Sequence, residues 1–148
     1  MSGDRHRVKF AVYLIPRDGD KALLSLRQNT GWKDGWYSLV AGHVEAGEAA
    51  EQAMVREAKE EAGIDVVPAD LRHVYTMHRV ADDAIDEYVD VFFECRQWNG
   101  EIRNTEPEKC GELRWTALDD LPDNTLNYIR HVLTHYPTGE TYSSTEKS

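Results

Sequence analysis

Cysteine is scarce in this chain: Cys95 and Cys110 are the only two among 148 residues. Two isolated thiols outside a Cys-x-x-Cys pattern provide no disulfide framework and signal neither a zinc site nor a redox pair, so they read as reduced intracellular residues. Long apolar runs are missing too, since no stretch approaches the roughly 20 residues that a membrane-crossing helix needs. The opening Met1-Ser2-Gly3-Asp4-Arg5-His6 is polar and no signal-peptide core follows it, so a cytoplasmic location is expected. Positive charge is in short supply. The chain has 17 Lys and Arg against 27 Asp and Glu, a formal net charge of −10. Such a surface repels polyanions at long range, which disfavours nucleic acid polymers and anionic membranes as partners. Repeats, low-complexity segments and internal linkers are absent. An acidic protein that handles an anionic small molecule must neutralise it locally, with a few Arg and Lys or with metal.

What is present suits one compact domain with its own core, with a hydrophobic fraction of 41% and a charged fraction of 30%, both ordinary for a soluble protein. Residues 7–136 carry the regular patterns. Residues 1–6 are expected to be loose, and 137–148, rich in Thr, Ser, Gly and Glu, to be a polar flexible tail. Residues 8–15 and 22–26 are β-rich and flank the turn Pro16-Arg17-Asp18-Gly19-Asp20, which predicts a strand pair. A loop with two glycines and two tryptophans covers 29–36, and a short strand 37–40. Residues 48–62 hold many Ala and Glu, with Gly63 as the stop, which predicts a helix. Two long strands follow at 71–80 and 87–96 around the acidic loop Asp82-Asp83-Ala84-Ile85-Asp86. A shorter strand lies at 112–116 and a closing helix at 124–136, with apolar Leu126, Ile129, Val132 and Leu133. The sum is an α/β (α+β) layered fold with a mixed sheet.

The chemistry concentrates at 42–64, GHVEAGEAAEQAMVREAKEEAGI. Glu57, Glu60 and Glu61 stand at i, i+3 and i+4, so three carboxylates project to one side of the helix. Like charges at these spacings repel, which leaves them either solvated or sharing a cation. Hard oxygen donors from one face suit Mg²⁺ or Mn²⁺, which keep waters and share a substrate phosphate. Arg56 can bridge its acidic neighbours and hold their rotamers. Glu48 begins the helix, where a carboxylate meets the positive end of the dipole. Gly42 and Gly47 bracket a loop that must bend sharply onto it. Met54, Ala58 and Ala62 face the other way and can pack on a sheet.

Gly42, Glu48 and the run Arg56-Glu57-Ala58-x-Glu60-Glu61-x-Gly63-Ile64 together resemble the Nudix box at every defining position. The resemblance extends over roughly residues 7–136 and implies the Nudix fold, an α/β/α sandwich around a central mixed sheet. It implies an Mg²⁺- or Mn²⁺-dependent hydrolase of a nucleoside diphosphate linked to another group, acting by water attack on phosphorus. Matching positions make Glu57, Glu60 and Glu61 the metal-binding set, with the Ala41 carbonyl as a further ligand, and give Arg56 and Glu48 the orienting role. One departure lies at Val40-Ala41, where many members have Pro and Gly. A further acid, as extra ligand or general base, falls to Glu106 or Glu108, with Glu106 favoured and Glu57 the competing base.

On the substrate side the resemblance points to Arg27 as a phosphate contact, with Gly42, Trp36 and Asn124 beside it and Arg79 more weakly. Trp32, Trp36, Tyr37 and Trp115 are available for base stacking, although such aromatics are more often core. Asn124 lies near where mutator-type members place a base-reading Asn, but a helix N-cap is the favoured reading. His43, His73 and His78 show no metal spacing and read as structural or solvent groups. Neither the proline of ADP-ribose hydrolases nor the tyrosine of diadenosine polyphosphate hydrolases stands in the region His78-Arg79-Val80-Ala81. By elimination a single nucleoside triphosphate, oxidised or non-standard forms included, is the expected substrate. The alternatives are a non-catalytic nucleotide sensor, against which the intact box argues, and isopentenyl-diphosphate isomerase, for which further catalytic residues are not found. A homodimer is compatible with the family resemblance.

Overall fold

The computed structural model describes residues 5–80 and 87–145. In chain order it comprises β1 (Lys9–Asp18), β2 (Lys21–Arg27), β3 (Tyr37–Ser38), β4 (Val40–His43), α1 (Ala50–Ala62), β5 (Leu71–Arg79), β6 (Tyr88–Cys95), β7 (Cys110–Ala117), α2 (Asn127–His135) and β8 (Tyr142–Thr145). The strands form one mixed sheet in the order β3-β2-β1-β6-β5-β8, with β4 on β1 and β7 on β2. The expected loop 82–86 and residues 1–4 lie outside the described residues.

β1 explains the layering. Residues 11–16 are buried without a break, as a strand covered on both faces must be. Alternation sends Ala11, Tyr13 and Ile15 to one side, where Ile129, Val132 and Leu133 of α2 pack. Val12 and Leu14 go to the other, against Ala53, Met54, Ala58 and Ala62 of α1. The result is the expected α/β/α sandwich with a mixed sheet. Alanines on the buried stripe of α1 bring its backbone close to the sheet, which sets Glu57 and Glu61, beside that stripe, against β4.

β1 and β2 pair only beside their hairpin, at Arg17↔Ala22 and Asp18↔Lys21. Farther along, β4 takes one edge of β1 and β6 the other, while β2 turns to β3 and β7. The two strands therefore part, and a cleft opens between β2 and β4.

Several boundaries move from their sequence positions. α1 starts at Ala50 rather than 48, because Ala49 is extended (φ −75°, ψ 156°) and its N–H donates to Gln52 Oε1 at 2.8 Å. It ends as expected at Gly63, whose φ of +70° suits glycine and where a Cβ would lie 2.6 Å from Arg103 Nε. The strand expected over 37–40 breaks at Leu39 into β3 and β4. The last helix begins at Asn127, not 124, with Leu126 as its N-cap. The tail expected beyond 136 instead makes a 3₁₀ turn at Tyr136–Thr138 and then β8, parallel to β5 from Thr76↔Tyr142 to Arg79↔Thr145. Polar composition hid this strand, because it sits at the sheet edge with one face toward solvent. Among the described residues no helix is long and apolar enough to cross a membrane.

Candidate active site

Arg56 is the hub of the acidic face of α1. Its Nε and Nη2 donate to Glu48 Oε2 and Oε1, each at 2.9 Å, a two-pronged grip that fixes the carboxylate plane. Nη1 donates to Glu57 Oε1 at 2.7 Å and lies 3.5 Å from Glu60 Oε2. Nη2 also reaches the His43 carbonyl at 3.1 Å, tying the helix to the end of β4. The guanidinium, helped by the Glu45 N–H, holds the Glu48 carboxyl down at about 2, and Glu48 in turn holds the Arg56 proton on more tightly.

Gly42 makes room for this arrangement. A Cβ there would lie 2.1 Å from the Glu57 carboxyl carbon, so the strand can pass the helix at this distance only with hydrogen at position 42. Glu57 is thereby pressed toward Glu61. Burial pushes the Glu61 carboxyl well above the usual carboxylate range, and the hydrogen bond and charge of Glu57 push it farther; the Ala41 N–H, 3.4 Å from Glu61 Oε1, opposes the rise. Two crowded carboxylates of this kind must share either a proton or a cation. Exposed Glu60, 3.5 Å from Arg56 Nη1, offers a further carboxylate on the same helix, and the donors are all hard oxygens, a set that fits Mg²⁺ or Mn²⁺. Ala41 lies in β4 without a positive φ, so the alanine that replaces glycine here imposes no backbone strain.

Above the carboxylates lies the cleft between β2 and β4, about 170 Å³, lined by Arg27, Ala41, Glu61, Glu106 and Lys109 among others. Arg27 ends β2 with its guanidinium 4.9 Å from the centre of the Trp32 ring. Its Nε donates to the Trp32 carbonyl at 2.9 Å and its Nη2 to Thr30 Oγ1 at 3.0 Å. Asp34 braces that loop by accepting the N–H groups of Thr30 and Gly31 at 3.1 and 3.0 Å. The loop before β7 turns on itself through Glu106, whose carbonyl accepts the Lys109 and Cys110 N–H groups at 3.0 and 2.9 Å. This turn puts Glu106 and Lys109, but not Glu108, on the cleft wall. Sequence reading passed over Lys109 and Thr30; a cation three residues after a favoured acid was the only available sign, and only the turn brings the two together.

Other expected contacts lie elsewhere. Trp36 packs half-buried against the α2-side core, and Asn124 Nδ2 donates to the Gly35 carbonyl at 2.8 Å. Asn124 is therefore not a helix cap: it clamps the segment leading into β3, and its carbonyl accepts the Tyr37 N–H at 2.8 Å. Arg79 is paired with fully buried Asp90 at 2.9 Å and lies between the Tyr88 and Tyr128 rings, away from the cleft lining. Trp115 stacks on Trp98 with ring centres 6.3 Å apart. His43, His73 and His78 bond to Tyr88, Thr76 and Glu87.

Carboxylates along one face of α1, a guanidinium that holds Glu48 and Glu57, and the cations Arg27 and Lys109 around the cleft make up the candidate site. The chain belongs to the Nudix family: the family model described as NUDIX domain matches residues 5–136. It is 34% identical over 127 residues to an NAD-capped RNA hydrolase NudC of Pseudomonas aeruginosa, a match that covers 84% of this chain and 42% of that protein. The corresponding Escherichia coli protein is 35% identical over 111 residues, covering 75% of this chain and 39% of its own length. The chain thus spans about two-fifths of these relatives. Among solved structures it is similar to the MutT NUDIX hydrolase of Burkholderia pseudomallei, with TM-score 0.79, 25% identity, and coverage of 87% of this chain and 98% of that one. Nudix hydrolases generally use divalent metals.

Proposed function

We propose that this chain hydrolyses a phosphoanhydride bond of a nucleoside diphosphate-linked small molecule, with a nucleoside triphosphate, oxidised or non-standard forms included, as the leading substrate. Mg²⁺ or Mn²⁺ would be held by Glu57, Glu60, Glu61 and the Ala41 carbonyl. The cation, when bound, polarises the phosphoryl oxygens and acidifies the attacking water. Arg56 and Glu48 position the carboxylates and touch no reacting atom. Arg27 and Lys109 meet substrate phosphate from the facing wall, and Glu106, beside Glu61, is the group assigned to accept the proton of the attacking water. The observation that carries the reading is the crowded Glu57–Glu61 pair, whose Glu61 lines the same cleft as Arg27.

Similarity to the NudC hydrolases favours a second substrate, an NAD-type diphosphate joining two nucleosides, free or at an RNA end. The same carboxylates would serve it. Incubating the purified chain and Mg²⁺ with nucleoside triphosphates, NAD and NAD-capped RNA, with products identified, separates the two. Cleavage is expected, and Glu60→Gln or Glu61→Gln should reduce it by orders of magnitude. Tight binding of a nucleotide without cleavage would turn the reading to a sensor.

A further inference from the structure

On the face of the sheet opposite α1, the described residues hold a second gathering of metal-ligating side chains. We propose that His131, His135 and Glu140 form a binding site for a zinc-class transition ion that ties the C-terminal strand to α2.

His131 and His135 are one helical turn apart on α2, so both rings emerge on one side, stacked with centres 4.1 Å apart. One ligand atom from each of the three side chains lies within 4.8 Å of those of the other two. His131 Nε2 is 2.7 Å from Glu140 Oε1. Ligand atoms of a tetrahedral zinc site with bonds of about 2.0–2.1 Å stand roughly 3.3 Å apart. To hold an ion the 2.7 Å pair would open slightly and any wider pair would close from at most 4.8 Å, and all three residues are only partly buried.

Two further contacts resemble those around bound zinc. His135 Nδ1 lies 2.7 Å from the His131 carbonyl. A carbonyl only accepts, so Nδ1 carries the proton and Nε2 of the neutral ring keeps its lone pair. Metal-bound histidines are commonly oriented in this way, through the ring nitrogen that does not bind. Tyr75, fully buried on β5, donates its hydroxyl to the same Glu140 oxygen, which fixes the carboxylate from below. Two imidazoles and one carboxylate favour zinc-class ions, whereas the all-oxygen set on α1 favours Mg²⁺. The two sites therefore sort ions between them. Glu140 follows the left-handed turn at Gly139 (φ +103°) and precedes β8. An ion here would join α2 to the root of a four-residue edge strand, an element that otherwise frays readily.

The test is a Zn²⁺ titration of the full chain by calorimetry in a large excess of Mg²⁺, with Co²⁺ absorption as the spectroscopic probe and the melting temperature recorded with and without Zn²⁺. One equivalent of Zn²⁺ should bind despite the Mg²⁺, Co²⁺ should show the intense visible bands of a four-coordinate site, and Zn²⁺ should raise the melting temperature. His135→Gln and Glu140→Gln should each lower Zn²⁺ affinity by at least roughly 10–100-fold, the loss seen when even an indirect metal partner is removed, and should abolish the thermal shift. Both variants should leave Mg²⁺-supported hydrolysis unchanged, and Glu60→Gln should leave Zn²⁺ binding unchanged. If His135→Gln fails to fold, Glu140→Gln, on a surface turn, carries the test. No Zn²⁺ binding in the presence of Mg²⁺ would overturn the proposal. So would binding that survives both variants or is lost with Glu60→Gln.

Discussion

A methyl group at position 42 would collide with the Glu57 carboxyl carbon at 2.1 Å, and Glu57 is the softer partner because its side chain can rotate while β4 is held by β1. Gly42→Ala should therefore displace the carboxylate rather than unfold the chain. Mn²⁺ affinity, read by electron paramagnetic resonance, and kcat/KM should fall at least about tenfold, with the melting temperature close to that of the parent. Glu48→Gln removes the charge that holds Arg56 by two prongs, and steady-state kinetics should show a loss of roughly 10–100-fold from disordered carboxylates. The Glu61 carboxyl is raised above its ordinary value by burial and by Glu57. Its contribution to folding is thus complete below the unfolded value of about 4.3 and is lost as pH climbs toward the raised folded value. The metal-free protein should accordingly lose stability as pH rises through that window, measured by urea unfolding at a series of pH values, and Glu61→Gln should flatten the slope. A divalent cation must displace the shared proton, so the binding enthalpy of Mn²⁺ should vary with buffer ionisation enthalpy in the parent and not in Glu61→Gln.

At the scale of elements, the acidic helix brings Glu57 and Glu61 to β4 because the buried stripe beside them is thin. Ala53, Ala58 and Ala62 are all fully buried, and Ala58→Leu should cost about 1–3 kcal/mol by overpacking, measured by chemical denaturation. This helix was the most legible part of the sequence, since i, i+3, i+4 carboxylates, small residues on the opposite side and a terminal glycine all encode one object. The strand at 8–15 and the long strands near 71–80 and 87–96 were legible for a similar reason, runs of β-branched and aromatic residues between turns. Partnership was not. That β1 pairs with β2 only at the hairpin follows from β4 taking its edge, a competition between segments far apart in the chain. Asn124 looks like a helix cap locally, but its amide is drawn to Gly35 across the molecule. Arg79 reads as a cleft cation, yet buried Asp90 claims it. His131 and His135 went unread in the predicted last helix, because Glu140, which meets them in space, stood in what looked like a tail.

Across the whole molecule, the sheet separates two chemistries: oxygen donors on α1 beside the cleft, and imidazoles on α2 beside the terminal strand. With a net charge of −10, the attraction of the proposed anionic substrate falls to a small region, Arg27 and Lys109 with the proposed cation, so the cleft would do locally what the surface does not. The central claim is that the Glu57–Glu61 face, loaded with a divalent metal, cleaves a nucleotide phosphoanhydride. Its most direct test is product-resolved turnover of nucleoside triphosphates and NAD by the full chain in Mg²⁺, with Glu61→Gln run alongside. The expected result is metal-dependent release of a nucleoside monophosphate product by the parent chain, and a loss of several orders of magnitude in the variant. Turnover that is undiminished in Glu61→Gln, or unaffected by removing metal with a chelator, would contradict the account.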